Sequence, residues 1–144
     1  MLIGHYITKI GDKRRIAVPV KFRRVLGKKM VVAKWYEGCL VLISAGSWLE
    51  LMKRVTGETK MVSLSVRDID RFILGSAFEL TVDDQGRVLV PEVLSEYASL
   101  KEDVVFVGLG DRIEIWSRDE WLKREKHVAI HASELMEKLV ESEK

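Results

Sequence analysis

The sequence has one cysteine, Cys39, no CxxC pair, and no apolar run near the roughly 18 residues of a membrane span. Those absences exclude a disulfide framework, a cysteine-based metal knuckle and a transmembrane helix, and leave Cys39 as a small buried strand residue. Met1 to His5 lacks the form of a signal peptide, so a cytoplasmic protein is expected. No His, Cys or Ser stands in a pattern with catalytic partners, so the chain reads as no enzyme, with no small-molecule substrate and no cofactor. Gly108-Leu109-Gly110 lacks the third glycine and the following helix of a nucleotide loop and reads as a hairpin. His127 and His131 are four apart without a nearby third ligand, so no metal site is expected.

What is present is enough apolar material for a packed core, 47% of 144 residues, and an uneven charge distribution. Residues 1–54 hold twelve Lys and Arg against three acids, whereas residues 78–144 hold nine against sixteen. The sum is only +2, but the asymmetry points to a polyanion surface built mainly by the first half.

The two prolines end two copies of one motif, Gly11–Pro19 (GDKRRIAVP) and Asp83–Pro91 (DDQGRVLVP). In each, a polar turn ends in an arginine, Arg15 or Arg87, and three apolar residues lead to the proline that stops the strand. A shift of 72 pairs Tyr6 with Phe78, Arg15 with Arg87 and Val18 with Val90; after one inserted residue, Leu40 pairs with Ile113 and Trp48 with Trp121. A unit of about fifty residues is therefore repeated over 6–54 and 78–126.

Each unit alternates in strand fashion before the turn, with Tyr6, Thr8 and Ile10, or Phe78, Leu80 and Val82, on the inner side. A short second strand follows, then a helix over Val20–Leu26 closed by Gly27, or over Glu92–Tyr97. Two further strands are joined by Glu37-Gly38 and by Gly110-Asp111. A closing helix has Ser-x-x-Glu capping spacing at Ser47 and Ser117. Between the units, Val66, Ile69, Phe72 and Ile73 recur at helical spacing, and residues beyond Trp121 read as a long, partly exposed helix or two. The expected organisation is one structural domain: repeat 1 over 1–56, a connecting helical segment over 57–77, repeat 2 over 78–126, and a C-terminal helix or tail over 127–144. Such a unit cannot bury both faces of its sheet alone, so the copies should combine into one closed or nearly closed pseudo-twofold β body.

With RIAVP, RVLVP, the intervening RFILGSAFE run and the paired tryptophans, residues 1–125 resemble the MraZ family. The resemblance implies an α+β, β-rich fold of two tandem AbrB-like ββαββα repeats, forming a swapped-hairpin barrel with flanking helices. It also implies a bacterial, nucleoid-associated transcriptional regulator that assembles into ring-like homo-oligomers on promoter repeats of the division and cell-wall gene cluster. The second turn matches the family motif fully, with Asp83, Gly86 and Arg87; the first has Gly11 at the aspartate position and Arg14 at the glycine position, with Asp12 one place away.

Arginine offers a rigid, always charged fork for a phosphate or for guanine, and a short β element can carry it into a major groove. Arg15 and Arg87 are thus the expected base-reading residues of a double-stranded DNA interface. Lys9, Lys13 and Arg14 are expected to hold the backbone, while Asp12, Asp83 and Gly86 shape the turns or orient the arginines. Lys21, Arg23 and Arg24 divide between phosphate contact and a solvated helix face. The rival function is that of an AbrB-like antitoxin or a non-enzymatic assembly protein, which requires a disordered partner-binding tail.

Overall fold

The two repeats exchange strands rather than folding side by side. In the computed structural model, residues 1–57 and 63–142 are described; residues 58–62 of the expected connecting segment and 143–144 of the expected tail lie outside them. β1 (Leu2–Lys9) of the first repeat pairs antiparallel with β7 (Asp103–Gly110) of the second, from Leu2↔Gly110 to Lys9↔Asp103. Reciprocally, β5 (Phe78–Thr81) pairs with β3 (Lys29–Lys34) of the first repeat. With β4 (Leu40–Ser44) and β8 (Ile113–Ser117) these make a six-stranded sheet in the order β1-β7-β8-β4-β3-β5.

That order reads the same when the repeats are exchanged. The pseudo-twofold axis passes the Val41↔Glu114 pair of β4 and β8, flanked by Leu40↔Ile115 and Leu42↔Ile113. β2 (Arg15–Ala17) and β6 (Arg87–Leu89) form a separate ribbon whose central pair, Ile16↔Val88, is its own symmetry equivalent. The swapped pairing follows the expected fold, but hydrogen bonds close no barrel: among the described residues β1 and β5 remain sheet edges. The physical reason is the shortness of β2 and β6, each ended by a proline two residues on, so that β2 pairs only with the residue just after β1, in the bridge Ile10↔Ile16.

Side-chain alternation feeds two cores from one sheet. Leu40, Leu42, Ile113 and Ile115 point to the ribbon side, where Ile16, Val18, Val88, Val90, Phe22 and Leu94 cover them. Val41, Ile43, Val105 and Trp116 point the other way, beneath α2 (Trp48–Thr56) and α3 (Leu64–Ile73), in a layer that also buries Trp35, Cys39 and Trp48. Of the residues expected on the inner side of β1 and β5, Ile10, Leu80 and Val82 pack on the core, and Tyr6 sets its ring against buried Phe22 with centroids 5.2 Å apart while staying partly exposed; Phe78 is exposed, as an edge position. Gly108 in β7 faces Gly4 of β1, where an added Cβ would stand 2.7 Å from backbone atoms of Leu2 and Ile3.

Local chemistry sets the connections. α1 (Val20–Leu26) and α4 (Glu92–Tyr97) each follow a proline, where a missing N–H costs nothing. Glu37 and Gly38 both take positive φ, 55° and 77°, as a two-residue hairpin turn requires, and Trp35 N donates to Cys39 O at 2.9 Å. Ser63 Oγ caps α3 by accepting from Val66 N at 3.2 Å, and Ser117 Oγ caps α5 (Arg118–Ser142) by accepting from Glu120 N at 3.2 Å. The capping expected of Ser47 is not made. The chain enters α2 through a 3₁₀ turn that already places Ser47 in helical conformation, and its Oγ accepts from Ser44 instead. α5 is one helix, anchored where Trp121 packs on Trp116 and His5 with ring centroids 5.7 and 5.9 Å apart.

Candidate nucleic-acid interface

In the β2–β6 ribbon Arg15 faces Leu89 and Ala17 faces Arg87. Because side chains alternate across a ribbon, Ile16 and Val88 turn inward, at 0% and 1% exposure, and the other four share the outer face. Arg15 and Arg87 therefore stand on one surface, diagonal across the pseudo-twofold axis, with Ala17 and Leu89 on the other diagonal. Strand exchange creates this face; neither repeat alone has it.

The second turn is organised by a carboxylate. Asp83 Oδ1 accepts from the backbone N of Gln85 and of Arg87, both at 2.9 Å, and Oδ2 accepts from Arg87 Nε at 3.0 Å. Gly86 completes it at φ 77°, donating to Asp83 O at 3.0 Å. The backbone hydrogen bond from Arg87, with the Arg87 side chain and the Gln85 N–H in addition, holds the Asp83 carboxyl below its ordinary range. The carboxylate thus fixes both ends of Arg87, its amide and its guanidinium, while each side chain stays 37% exposed.

The first turn closes on the same strand ends without that group, by a different local path. Gly11 N donates to Arg15 O at 2.8 Å, as Asp83 N donates to Arg87 O at 2.9 Å. Arg15 N donates to the backbone carbonyl of Asp12, which takes the part that the Asp83 carboxylate plays for Arg87. Lys13 and Arg14 sit at φ 58° and 59°, so Arg14 keeps the left-handed backbone that Gly86 has. For a residue with a Cβ that conformation costs about 1 kcal/mol or more.

The two turns then close on the opposite strands. Val18 N donates to Gly86 O and Val90 N to Arg14 O, both at 3.0 Å. Arg14 Nε donates to Val90 O at 3.1 Å, and Arg23 Nε to Val18 O at 2.8 Å with its guanidinium lying against Gly86. Of the other expected site residues, Lys13 is exposed within the turn, Asp12 is exposed beside it, and Lys9 is exposed at the end of β1 just ahead of it. Sequence reasoning divided Arg23 between phosphate contact and a solvated helix face and missed its bond to the Val18 carbonyl. The available signal was the asymmetry between the halves, since the position equivalent to Arg23 is Ser95 and that equivalent to Arg14 is Gly86.

Comparison with known proteins gives consistent matches. A family model described as "MraZ protein, putative antitoxin-like" matches residues 73–141. The chain is 37% identical over 142 residues to the transcriptional regulator MraZ of Caldanaerobacter subterraneus subsp. tengcongensis, covering 96% of each. It is also 37% identical over 141 residues to the transcriptional regulator MraZ of Heliobacterium modesticaldum, covering 98% of each. A solution structure of a protein from Pyrococcus horikoshii aligns over 80% of this chain and 88% of that one, at 14% identity and a TM-score of 0.33, a likeness too weak to carry an argument.

Proposed function

The chain belongs to the MraZ family of transcriptional regulators, and from that membership we propose that it reads promoter DNA through the outer face of the β2–β6 ribbon. The observation that carries this reading is the presence of Arg15 and Arg87 together on that face. A two-stranded ribbon fits the major groove, and an arginine fork bonds bidentately to guanine. Lys9 and Lys13 add positive charge near the first turn, where phosphates would lie, and Arg14 beside them has its Nε on the Val90 carbonyl; Asp12, Asp83 and Gly86 shape the turns that carry the reading residues.

Each subunit presents few reading groups, so the regulator acts as a ring-like homo-oligomer on tandem promoter repeats, those at the head of the division and cell-wall gene cluster. Relatives at this level of identity are named as regulators of transcription and not as enzymes. An antitoxin role needs a disordered toxin-binding tail; residues 118–142 form a single helix, which favours the DNA reading. The reading is tested by titrating the protein against promoter fragments selected from the source genome and against random duplexes at matched salt. Equal affinity for both would refute sequence-specific binding.

A further inference from the structure

Val18 and Val90 occupy equivalent places just beyond β2 and β6, and the carbonyl of each accepts a guanidinium Nε. The donors are not equivalent. Val18 O is held by Arg23 from α1 of its own repeat, and Val90 O by Arg14 from the turn of the other repeat. The correspondence between the helices is fixed by Pro19 with Pro91 and by Phe22 with Leu94, both fully buried, which sets Arg23 against Ser95. In one half the turn residue is Gly86, where a Cβ would run into the Arg23 guanidinium; in the other the turn residue is an arginine and the helix residue is serine.

We infer that Arg14 and Arg23 are positioning residues that perform one task from two places: each clasps a strand-end carbonyl to the turn packed against it, and so fixes the arginine that follows that turn. Arg15 comes directly after Arg14, and Arg87 directly after Gly86, so each clasp acts one residue from a proposed reading group. The arginine at the glycine position of the first turn is on this account no additional phosphate contact. It replaces the helix arginine that the second repeat lacks. Its left-handed backbone is held in place by the Val90 N–H to Arg14 O bond and the Arg14 Nε to Val90 O bond, which together grip the residue from both sides.

The part of this inference that concerns DNA rests on the function proposed above; the part that concerns the clasps does not, and the experiment keeps them apart. Amide exchange is followed at Val18 and Val90, whose N–H groups close the turns on the ribbon, with Val105 in β7 as the core reference. Arg23→Lys and Arg14→Lys keep the charge and lose the planar fork. Arg23→Lys should speed exchange at Val18 by about tenfold and Arg14→Lys at Val90 likewise, with Val105 unchanged, because the opening is local. On DNA the same variants should lose several-fold in preference for specific over random duplex while the salt slope stays at the wild-type value. Gly86→Arg alone should disturb both readouts, and Gly86→Arg with Arg23→Ser should restore them, since the double variant recreates the arrangement of the first half. Wild-type exchange at Val18 and Val90 in the lysine variants overturns the inference. So does a failure of the double variant to improve on Gly86→Arg, and so does a reduced salt slope with unchanged exchange in the charge-removing variants Arg14→Gln and Arg23→Gln, which would make the two arginines phosphate contacts. A wild-type protein that shows the exchange pattern but binds all duplexes equally would refute the DNA reading and leave the clasps standing.

Discussion

The Trp116 indole donates from Nε1 to Glu114 Oε1 at 2.9 Å within the layer beneath the helices, and that glutamate occupies the place that Val41 holds in the other repeat. Glu114 is 8% exposed, and burial pushes its carboxyl above the ordinary range against the pull of Trp116 and of Arg112, whose Nε lies 4.0 Å away. A carboxyl raised by folding contributes stability that is complete below its unfolded pKa and is lost as pH rises through the folded one.

Glu114→Gln should therefore raise the melting temperature at pH 8, with a gain that shrinks on acidification and vanishes below about pH 4, the range of an ordinary glutamate. Thermal unfolding of both proteins across that window checks it. A gain independent of pH would mean that repacking, and not the charge, is responsible.

Gly108→Ala should unfold in urea with a loss of about 1–3 kcal/mol, the usual cost of forcing atoms into a packed site. Its Cβ would stand 2.7 Å from backbone of Leu2 and Ile3, so β1 must move off β7. A wild-type midpoint would show that this edge yields without cost.

Asp83→Ala should reproduce part of the Arg87→Ala defect on DNA, because the carboxylate holds both the Arg87 amide and its Nε. Its lowered pKa means that this ordering is present above the ordinary aspartate range and is lost only as pH falls through the folded value. Fluorescence anisotropy against specific and random duplexes decides the point: uniformly tighter binding by the variant would identify the carboxylate as a repulsive charge near phosphate.

Light scattering at micromolar concentration should give a mass several times that of one chain, and binding to spaced tandem sites should exceed binding to one site at matched salt. A monomer mass, or equal affinity for single and tandem sites, would remove multivalency from the account.

Much of this arrangement was legible in the chain. The boundaries of α1 and α4 follow from Pro19, Gly27 and Pro91, and the two hairpins from Glu37-Gly38 and Gly110-Asp111, because turns and caps are local chemistry. The repeat spacing of 72 pairs Arg15 with Arg87. It could not show that they share a face, which depends on the Ile16↔Val88 register of the ribbon. Ser47 carried a capping signature that a preceding 3₁₀ turn overrides, and the open edges of β1 and β5 reflect strand lengths that the pattern leaves loose. The pairing of Arg23 with Val18 was hidden because its partner is a backbone carbonyl, which every residue has.

The most direct test of the central claim is a titration of Lys13→Ala, Arg15→Ala and Arg87→Ala against specific and random duplexes at several salt concentrations. Lys13→Ala should weaken both duplexes alike and reduce the log–log salt slope by about 0.9. Arg15→Ala and Arg87→Ala should each cost discrimination, roughly 1–3 kcal/mol per subunit for a bidentate base contact. If both arginine variants bind with wild-type affinity and specificity, the ribbon face is not the reading surface.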